Sequence, residues 1–190
     1  MFFHNPKTGG TSILKMIGRS HRLGDSHHHV NILPSHLTIS DYLSQTDDFG
    51  RKIFDEFFTF SFVRNPWELL VSKWSYDSKY GENDNEFKVW LDGVLTHHRN
   101  TGYLHKQSEW THHDGVQAVD FVGRFERIES DISFICDKSS MDASSIIHEN
   151  STEHNCYRSY YDSKRVDIVY ELYGDDIELF GYSFEGVVDG

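Results

Sequence analysis

Short apolar runs alternate with longer stretches of helical periodicity along the chain. Residues 2–3, 57–63 and 119–125 are rich in aromatic and β-branched side chains and too short for helices, which is typical of buried strands. In residues 67–76, apolar side chains recur three and four positions apart, which predicts a helix with one buried face. Strands that alternate with helices indicate an α/β layer with a mainly parallel sheet.

The same helical periodicity predicts further helices, at residues 13–17, 39–49, 87–95, 128–136 and 163–173. Thr38 or Ser40 is the expected N-cap of the helix over residues 39–49. Asn65 caps the helix over residues 67–76, with Pro66 at its first position. Polar stretches predict loops, at residues 19–31, 77–85, 103–115 and 139–159. No repeat or linker divides the sequence, so we expect a single domain over residues 1–190.

The composition narrows the function classes. With 190 residues, of which 37% are hydrophobic and 15% aromatic, the chain is typical of one globular domain. Its net charge of −12 argues against a general nucleic-acid binder, because phosphate backbones would be repelled. A nucleotide could still bind where a few positive groups are focused.

Targeting signals and cysteine content indicate the expected cellular location of the protein. The sequence has no signal peptide and no apolar run of membrane-spanning length, so we expect no membrane span and a cytoplasmic location. Its two cysteines are Cys136 and Cys156. Free buried thiols are favoured over a disulfide between them, as in a reducing compartment.

Residues 4–12, which we call the glycine loop, carry the most specific chemistry. After an apolar start, His-Asn-Pro-Lys-Thr-Gly-Gly-Thr-Ser predicts a tight loop that enters a helix. Gly9 and Gly10 let the backbone approach a ligand, and the loop amides with the helix N-terminus form an anion site, to which Lys7 adds a positive charge. Hydroxyl donors come from Thr8, Thr11 and Ser12. The loop is not a Walker A motif, because in that motif lysine follows the glycines.

Residues 62–74 carry a second candidate site. Arg64 falls at the predicted end of a strand, where its planar guanidinium can hold a phosphate, and Ser72 lies nearly two helical turns beyond Pro66. In open parallel sheets, ligands bind outside the carboxyl ends of strands, where both Lys7 and Arg64 are expected. The alternative is that Arg64 makes a structural salt bridge ahead of a capped helix.

The order Pro-Lys-Thr-Gly-Gly-Thr-Ser at residues 6–12 resembles the 5′-phosphosulfate loop of sulfotransferases that use 3′-phosphoadenosine 5′-phosphosulfate (PAPS). It is most similar to carbohydrate sulfotransferases of the heparan sulfate 2-O- and chondroitin type. Arg64 and Ser72 resemble the 3′-phosphate site of the same family. The resemblance implies an α/β fold of the P-loop-like, three-layer sandwich type with a central, mainly parallel sheet.

The resemblance also implies a reaction. A sulfuryl group would pass from PAPS to an acceptor hydroxyl, expected to be that of a glycan, and no metal would be needed. Lys7 would stabilise negative charge on the leaving-group side. The 5′-phosphosulfate would be held by Lys7, Thr8, Gly9, Gly10, Thr11 and Ser12.

His36 is the predicted base that takes the acceptor proton. It lies between the two phosphate motifs, in a position similar to the catalytic histidine of heparan sulfate 2-O-sulfotransferases, and histidine suits proton transfer at neutral pH. His4 is the alternative base, unless it packs under the glycine loop. Arg124 stands in a Gly-Arg-Phe-Glu segment that also resembles the family. It could assist the cofactor or an anionic acceptor, or pair with Glu126 or Glu129.

Other functions are weighed against this one. Adjacent histidines at residues 27–29, 97–98 and 112–113 raise the possibility of a metal site, but no ligand spacing supports it, so none is expected. A nucleotide kinase or other phosphotransferase would need a magnesium-holding carboxylate and a lysine after the glycines. A non-catalytic relic would bind a nucleotide or glycan without turnover.

Overall fold

A computed structural model of the chain describes residues 1–15, 36–79, 85–102, 104–139 and 155–187. The chain groups into two compact units. Unit 1 comprises Met1–Val63 and Gln107–Ser151, and unit 2 comprises Arg64–Lys106 and Thr152–Gly190. Each unit therefore combines two separate stretches of sequence. The expectation of a single domain stays a prediction.

The secondary structure mixes strands and helices throughout the described residues. The strands are β1 (Phe2–Phe3), β2 (Phe60–Val63), β3 (His112–His113), β4 (Val116–Gln117), β5 (Phe121–Arg124), β6 (Tyr182–Ser183) and β7 (Gly186–Val187). The helices are α1 (residues 10–15), α2 (Ile39–Gln45), α3 (Asp48–Glu56), α4 (Pro66–Lys79), α5 (Phe87–Thr101), α6 (Ile128–Ser139) and α7 (Ser163–Phe180). Short 3₁₀ helices span Gln107–Trp110, Phe125–Arg127 and Tyr157–Tyr160.

Unit 1 is organised around a parallel sheet in which the described strands follow the order β1-β2-β5. Phe2 pairs with Phe60 across β1 and β2, and Val63 pairs with Arg124 across β2 and β5. The predicted mainly parallel sheet is therefore confirmed for these strands. The three-layer sandwich of the P-loop-like type stays a prediction.

Helices pack on both faces of this sheet. Phe2 and Phe3 point to opposite faces, as neighbours in a strand must. Phe2 is buried in a cluster with Ile13 of α1 and Ile132 of α6, whereas Phe3 is buried in a different cluster with Tyr42 of α2. The two apolar residues of β1 thus join both cores of unit 1, and the glycine loop begins directly after them.

The predicted helix over residues 39–49 is wrong in its extent, because two helices stand there. Thr38 is the N-cap of α2: its hydroxyl accepts from the Asp41 N–H at 3.1 Å, and the Asp41 carboxylate accepts from the Thr38 N–H at 3.2 Å. The chain then leaves the helix at Thr46, and Asp47 caps α3 by accepting from the Gly50 N–H at 2.9 Å. Asp47 therefore starts a second helix in a stretch where the continuous apolar periodicity predicted a single helix.

Unit 2 is built from helices. α4, α5 and α7 share a buried apolar cluster that includes Leu70, Leu91 and Val169. The indole N–H of Trp67 donates to the Val166 carbonyl at 3.2 Å, and the Tyr161 hydroxyl donates to the Trp67 carbonyl at 2.8 Å. These bonds satisfy buried polar groups at the start of α4, so its first turn is held from two sides.

Several predicted loops differ from the structure. α4 runs to Lys79 and α5 to Thr101, and the predicted loop over 103–115 contains a 3₁₀ helix and β3. Two-residue loops join β3 to β4 and β6 to β7 in antiparallel pairs. α7 continues to Phe180 across a non-helical residue, Tyr173. The predicted loop at 19–31 lies outside the described residues, as does most of 139–159.

Two remaining expectations concern the state of the two cysteines and the absence of a membrane-spanning helix. Cys136 and Cys156 are both free; Cys136 is buried, but Cys156 is exposed, so the prediction of two buried thiols is wrong for Cys156. Cys156 precedes a short 3₁₀ helix rather than packing within an apolar helix face. Among the described residues, no helix combines the length and apolar character that a membrane crossing requires.

Candidate functional site

Buried hydrogen bonds hold the start of the glycine loop. The Asn5 side-chain amide donates to the Phe62 carbonyl at 3.0 Å and to Gln107 Oε1 at 3.3 Å. The Thr8 hydroxyl donates to the Asn5 carbonyl at 2.8 Å. Thr8 therefore uses its hydroxyl proton inside the loop, and its backbone N–H is the group it can offer to an anion.

The loop backbone adopts conformations that side chains disfavour. Lys7 has φ 64° and Gly9 has φ 85°, both in the left-handed region. A left-handed conformation costs a residue with a Cβ about 1–2 kcal/mol, and the cost falls on Lys7 because Gly9 has no Cβ. Strain of this kind concentrates at functional sites, which makes Lys7 a functional candidate on backbone grounds as well as by charge.

Both glycines have close neighbours where a Cβ would stand. A Cβ on Gly9 would lie 2.7 Å from Cδ1 of Ile128, and a Cβ on Gly10 would lie 1.9 Å from Nε2 of His4. From the sequence, these glycines are expected to let the backbone come close to a ligand. The structure adds a second role, because the protein itself occupies the space that a side chain would need.

The helix after the loop begins at Gly10. The Gly9 carbonyl accepts from the N–H groups of Ser12 at 3.0 Å and Ile13 at 3.2 Å. Gly10 and Thr11 lie in the first turn of this helix. Their N–H groups therefore have no helix carbonyl four residues earlier to which they could donate. Thr11 is exposed, so this end of the loop presents donors to a ligand from outside.

His4 and His36, the two candidate bases, lie against each other. Their ring centroids are 4.6 Å apart, and Nδ1 of His36 lies 3.2 Å from the His4 carbonyl oxygen. The His4 ring also stacks on Phe2, with centroids 5.6 Å apart. Burial, and secondarily the nearby His36, lower the pKa of His4 from 6.5 to about 4. His4 is therefore neutral at pH 7.

The surroundings of His36 indicate which of its two ring nitrogens carries the proton. It is exposed, it has φ 68°, and its carbonyl accepts from the Trp110 indole N–H at 3.3 Å. A carbonyl can only accept, so Nδ1 of His36 carries the proton in the bond to His4. In the neutral ring, Nε2 of His36 then has the lone pair that a general base needs.

Residues 64–68, which we call the Arg64 turn, follow β2. Arg64 is buried, and its Nη2 lies 3.0 Å from Oε1 of Glu68. Asn65 caps α4 as predicted, accepting from the Trp67 N–H at 3.1 Å, and its amide donates to the Ser183 carbonyl at 2.9 Å. The structural salt bridge considered for Arg64 is therefore present, with Glu68 as its partner.

Glu68 and Ser72 extend from this turn along α4. Within α4, Glu68 and Ser72 are four residues apart and so lie on one side of the helix, and Arg64 precedes the helix by two residues. Ser72 is buried. Sequence reasoning missed Glu68, although its spacing from Arg64 was a signal for an ion pair.

Arg124 ends β5, where its backbone N–H donates to Oδ2 of Asp131 at 2.7 Å. Asp131 is buried and also lies 3.9 Å from the Arg127 guanidinium. Glu126 and Glu129 are the partners that the sequence predicts for Arg124, and Asp131 is an additional one. Asp131 therefore fixes the backbone from which the Arg124 side chain projects.

The predicted site residues divide between the units. The glycine loop, which includes His4, belongs to unit 1 together with His36 and Arg124, and the His4 ring lies against Gly10 and His36. Arg64 and Ser72 belong to unit 2. Their participation in one site with the glycine loop stays a prediction.

The histidine pairs were considered as metal ligands. In β3, His112 pairs with the Thr111 hydroxyl at 2.8 Å and His113 with the Ser40 hydroxyl at 3.2 Å. Within the described ranges, no three His, Cys, Asp or Glu side chains are grouped to hold a metal ion. Histidines 27–29 lie outside those ranges.

Comparison with known proteins supplies the family. The chain matches the model of the sulfotransferase family over residues 1–183. A protein of Archaeoglobus fulgidus, described as uncharacterized, is 29% identical over 115 residues, which are 57% of this chain and 89% of that protein. No solved structure matches the chain. Because the family match includes both the glycine loop and the Arg64 turn, and nearly all of the sequence between and beyond them, the chain belongs to the sulfotransferase family.

Proposed function

We propose that the protein is a PAPS-dependent sulfotransferase that moves a sulfuryl group to a hydroxyl of a carbohydrate. The observation that carries this proposal is the glycine loop, in which a left-handed lysine and two sterically required glycines lead into a helix start. A backbone held in this form at a helix N-terminus suits a multiply charged anion. Membership in the sulfotransferase family supports PAPS as that anion.

The donor set of the loop fits a phosphosulfate group. Backbone amides of the loop and the Lys7 ammonium supply hydrogen bonds and positive charge, and Gly9 and Gly10 carry no side chain. In the proposal, the 5′-phosphosulfate is bound by Lys7, Thr8, Gly9, Gly10, Thr11 and Ser12. Thr8 contributes its backbone amide, because its hydroxyl proton goes to Asn5.

The 3′-phosphate is assigned to Arg64 and Ser72. Arg64 is buried and pairs with the Glu68 carboxylate, and the planar guanidinium that matches a carboxylate also matches a phosphate. Arg124 is a secondary candidate for contact with the cofactor or an anionic acceptor. The experiment that tests this part is isothermal titration of adenosine 3′,5′-bisphosphate and of adenosine 5′-phosphate. Removal of Arg64 should abolish the preference for the bisphosphate.

The chemistry divides between two side chains. Lys7 stabilises the negative charge that develops on the leaving phosphate oxygen, and His36 takes the acceptor proton through Nε2. PAPS supplies the sulfuryl group when it is bound. Lysine and arginine provide the positive charge that magnesium provides in kinases, so we expect no metal requirement.

The carbohydrate acceptor rests on the similarity of residues 4–12 to the loop of carbohydrate sulfotransferases. The net charge of −12 makes nucleic acid an unsuitable partner.

Radiolabelled sulfate transfer from PAPS to a panel of polysaccharides, lipids and small alcohols tests the proposal. We expect transfer to at least one carbohydrate, loss of transfer in Lys7→Ala, and no dependence on added magnesium. Tighter binding of ATP with magnesium than of adenosine 3′,5′-bisphosphate would contradict the proposal in favour of a phosphotransferase. Tight bisphosphate binding with no transfer to any acceptor would favour a non-catalytic binding protein.

A further inference from the structure

The His4 ring lies between the helix start of the glycine loop and the ring of His36. Its Nε2 edge fills the space where a Gly10 Cβ would stand, at 1.9 Å. One face stacks on Phe2 with an interplanar angle of 24°, and the ring of His36 lies tilted against it with centroids 4.6 Å apart. A single side chain thus contacts both the phosphate-binding backbone and the candidate base.

The nitrogens of His4 are badly placed for proton transfer to a substrate. Nε2 faces the backbone of Gly10. Nδ1 is buried and makes no hydrogen bond within the part of the chain that the structure describes. A general base must come within hydrogen-bond reach of the proton that it removes. The surroundings of His4 therefore favour a role that depends on the shape of its ring.

His36 depends on residue 4 in two ways. Nδ1–H of His36 donates to the His4 carbonyl at 3.2 Å, which assigns the tautomer, and the His4 ring supports one side of the His36 ring. His36 is otherwise exposed, so the support from His4 limits its movement. Ordering a base in this way lowers the entropy that must be lost on reaching the transition state.

We infer that His4 is a positioning residue, whose ring sets the separation between the Gly10 helix start and the His36 base. This inference rests on the proposed function, in which the glycine loop binds the phosphosulfate and His36 takes the acceptor proton. The lowered pKa of His4 agrees with it, because a ring that stays neutral does not place a positive charge beside His36.

Two substitutions of His4 separate shape from basicity. His4→Phe keeps a flat ring of similar size and has no basic nitrogen, whereas His4→Ala removes the ring and leaves the backbone carbonyl in place. We expect kcat to fall about 10- to 100-fold in His4→Ala, with a much smaller change in KM for PAPS, because the base becomes misplaced. His4→Phe should recover most of that loss. Kinetics are measured well below the unfolding temperature of each variant.

Two kinetic outcomes would overturn the inference. An equal, large loss of kcat in His4→Phe and His4→Ala would make His4 itself the base. An unchanged kcat in His4→Ala with a lowered Tm would make the ring structural only. His36→Ala serves as the reference for loss of the base, and its defect should not deepen when His4→Ala is added.

Substitutions at Gly10 test the contact without any assay of activity. Gly10→Ala should lower Tm strongly in the wild-type and His4→Phe backgrounds, because each has a ring in the Cβ space. In the His4→Ala background, Gly10→Ala should have little effect on Tm. Equal effects in all three backgrounds would overturn the inference. Wild-type protein that transfers no sulfuryl group, yet shows this dependence on the ring, would instead refute the proposed function.

Discussion

The chain leaves the neighbouring parallel strands β1 and β2 in two different ways. After β1, the glycine loop is shaped by its backbone: Lys7 and Gly9 have positive φ, and the neighbours of Gly9 and Gly10 leave no room for side chains. After β2, the Arg64 turn is shaped by side chains, with Arg64 bound to Glu68 and Asn65 capping a regular helix. The first segment should be damaged by adding atoms, and the second by removing charge or hydrogen bonds.

Lys7 should give the largest effect, because it combines the backbone strain of the glycine loop with the charge that the reaction needs. Lys7→Ala should lower the rate of sulfuryl transfer about 10²- to 10³-fold, the cost of losing one electrostatic contact in a transition state. Lys7→Gly should be as inactive but more stable than Lys7→Ala by about 1 kcal/mol, because glycine accepts φ 64° without strain. Transfer kinetics and thermal unfolding measure the two effects. If the two variants were equally stable, the strain assigned to Lys7 would be absent.

Gly9 tests whether the loop rejects added atoms. Gly9→Ala combines φ 85° with a Cβ placed 2.7 Å from Ile128, so we expect a loss of about 1–3 kcal/mol in unfolding free energy. The matched control is Gly93→Ala in α5, where a Cβ would meet nothing within 4 Å. That substitution should stabilise the protein by about 0.5–1 kcal/mol, since alanine favours a helix interior. Destabilisation of similar size at Gly9 and Gly93 would show that the glycine loop is no less tolerant of an added methyl group than α5.

Glu68 tests whether the Arg64 turn depends on charge. Glu68→Gln should cost about 1–2 kcal/mol of unfolding free energy, because Arg64 is buried and loses an ionic partner 3.0 Å away. The same substitution should tighten binding of adenosine 3′,5′-bisphosphate several-fold if the carboxylate competes with the 3′-phosphate for Arg64. Chemical denaturation and calorimetric titration provide the two measurements.

An exposed ion pair provides the control for Glu68. Lys52 and Glu56 have the same i,i+4 spacing at 3.6 Å, but both side chains are mostly exposed. Glu56→Gln should therefore change stability by less than about 0.5 kcal/mol. If Glu56→Gln and Glu68→Gln lowered the unfolding free energy equally, the burial of Arg64 would not strengthen its ion pair with Glu68.

The last expected effect is the pH dependence that His4 contributes to stability. Its pKa falls from 6.5 in the unfolded chain to about 4 in the folded protein. The unfolded chain therefore binds a proton first as the pH falls, so the stability from His4 is complete above pH 6.5 and is lost toward pH 4. The slope should be a fraction of the full ~1.4 kcal/mol per pH unit, because the ring is partly exposed. Comparing denaturation midpoints of wild type and His4→Phe from pH 7.5 to 4 measures it; identical profiles would show that His4 has an ordinary pKa.

Local chemistry predicted much of the fold. Asn65 was predicted as a helix cap, and Thr38 was one of two candidate caps beside Ser40, because a capping side chain acts within three residues of itself. The strands β1, β2 and β5 were predicted from runs of aromatic and β-branched residues, whereas the two-residue strands β3, β4, β6 and β7 were not predicted. The division between α2 and α3 was missed because the apolar periodicity continues past Asp47, so a capping residue inside the pattern was given too little weight.

Other features were missed although a signal existed. Asp114 and Gly115 form the two-residue loop of the β3–β4 hairpin, and both have positive φ, as the sequence Asp-Gly favours. α7 extends past Gly174 because Ile177 is buried in the core of unit 2, and tertiary packing outweighs the low helix propensity of glycine.

The candidate site was predictable in its residue types and less so in its contacts. Lys7, Gly9 and Gly10 follow from the order of residues in the glycine loop. The clash between a Gly10 side chain and His4 depends on where the loop folds back, which no local pattern reports. The contact of His4 with His36 joins residues 32 positions apart, so only the folded chain brings the two candidate bases together.

The different burial of Cys136 and Cys156 offers a natural attachment point for a spectroscopic reporter. A maleimide fluorophore added to the unaltered protein should react at the accessible thiol of Cys156 and spare the enclosed one, because reaction requires an accessible thiolate. The dye would then sit in unit 2, beside the helix that Tyr157 begins. The unaltered sequence would therefore accept one label at a known position in unit 2.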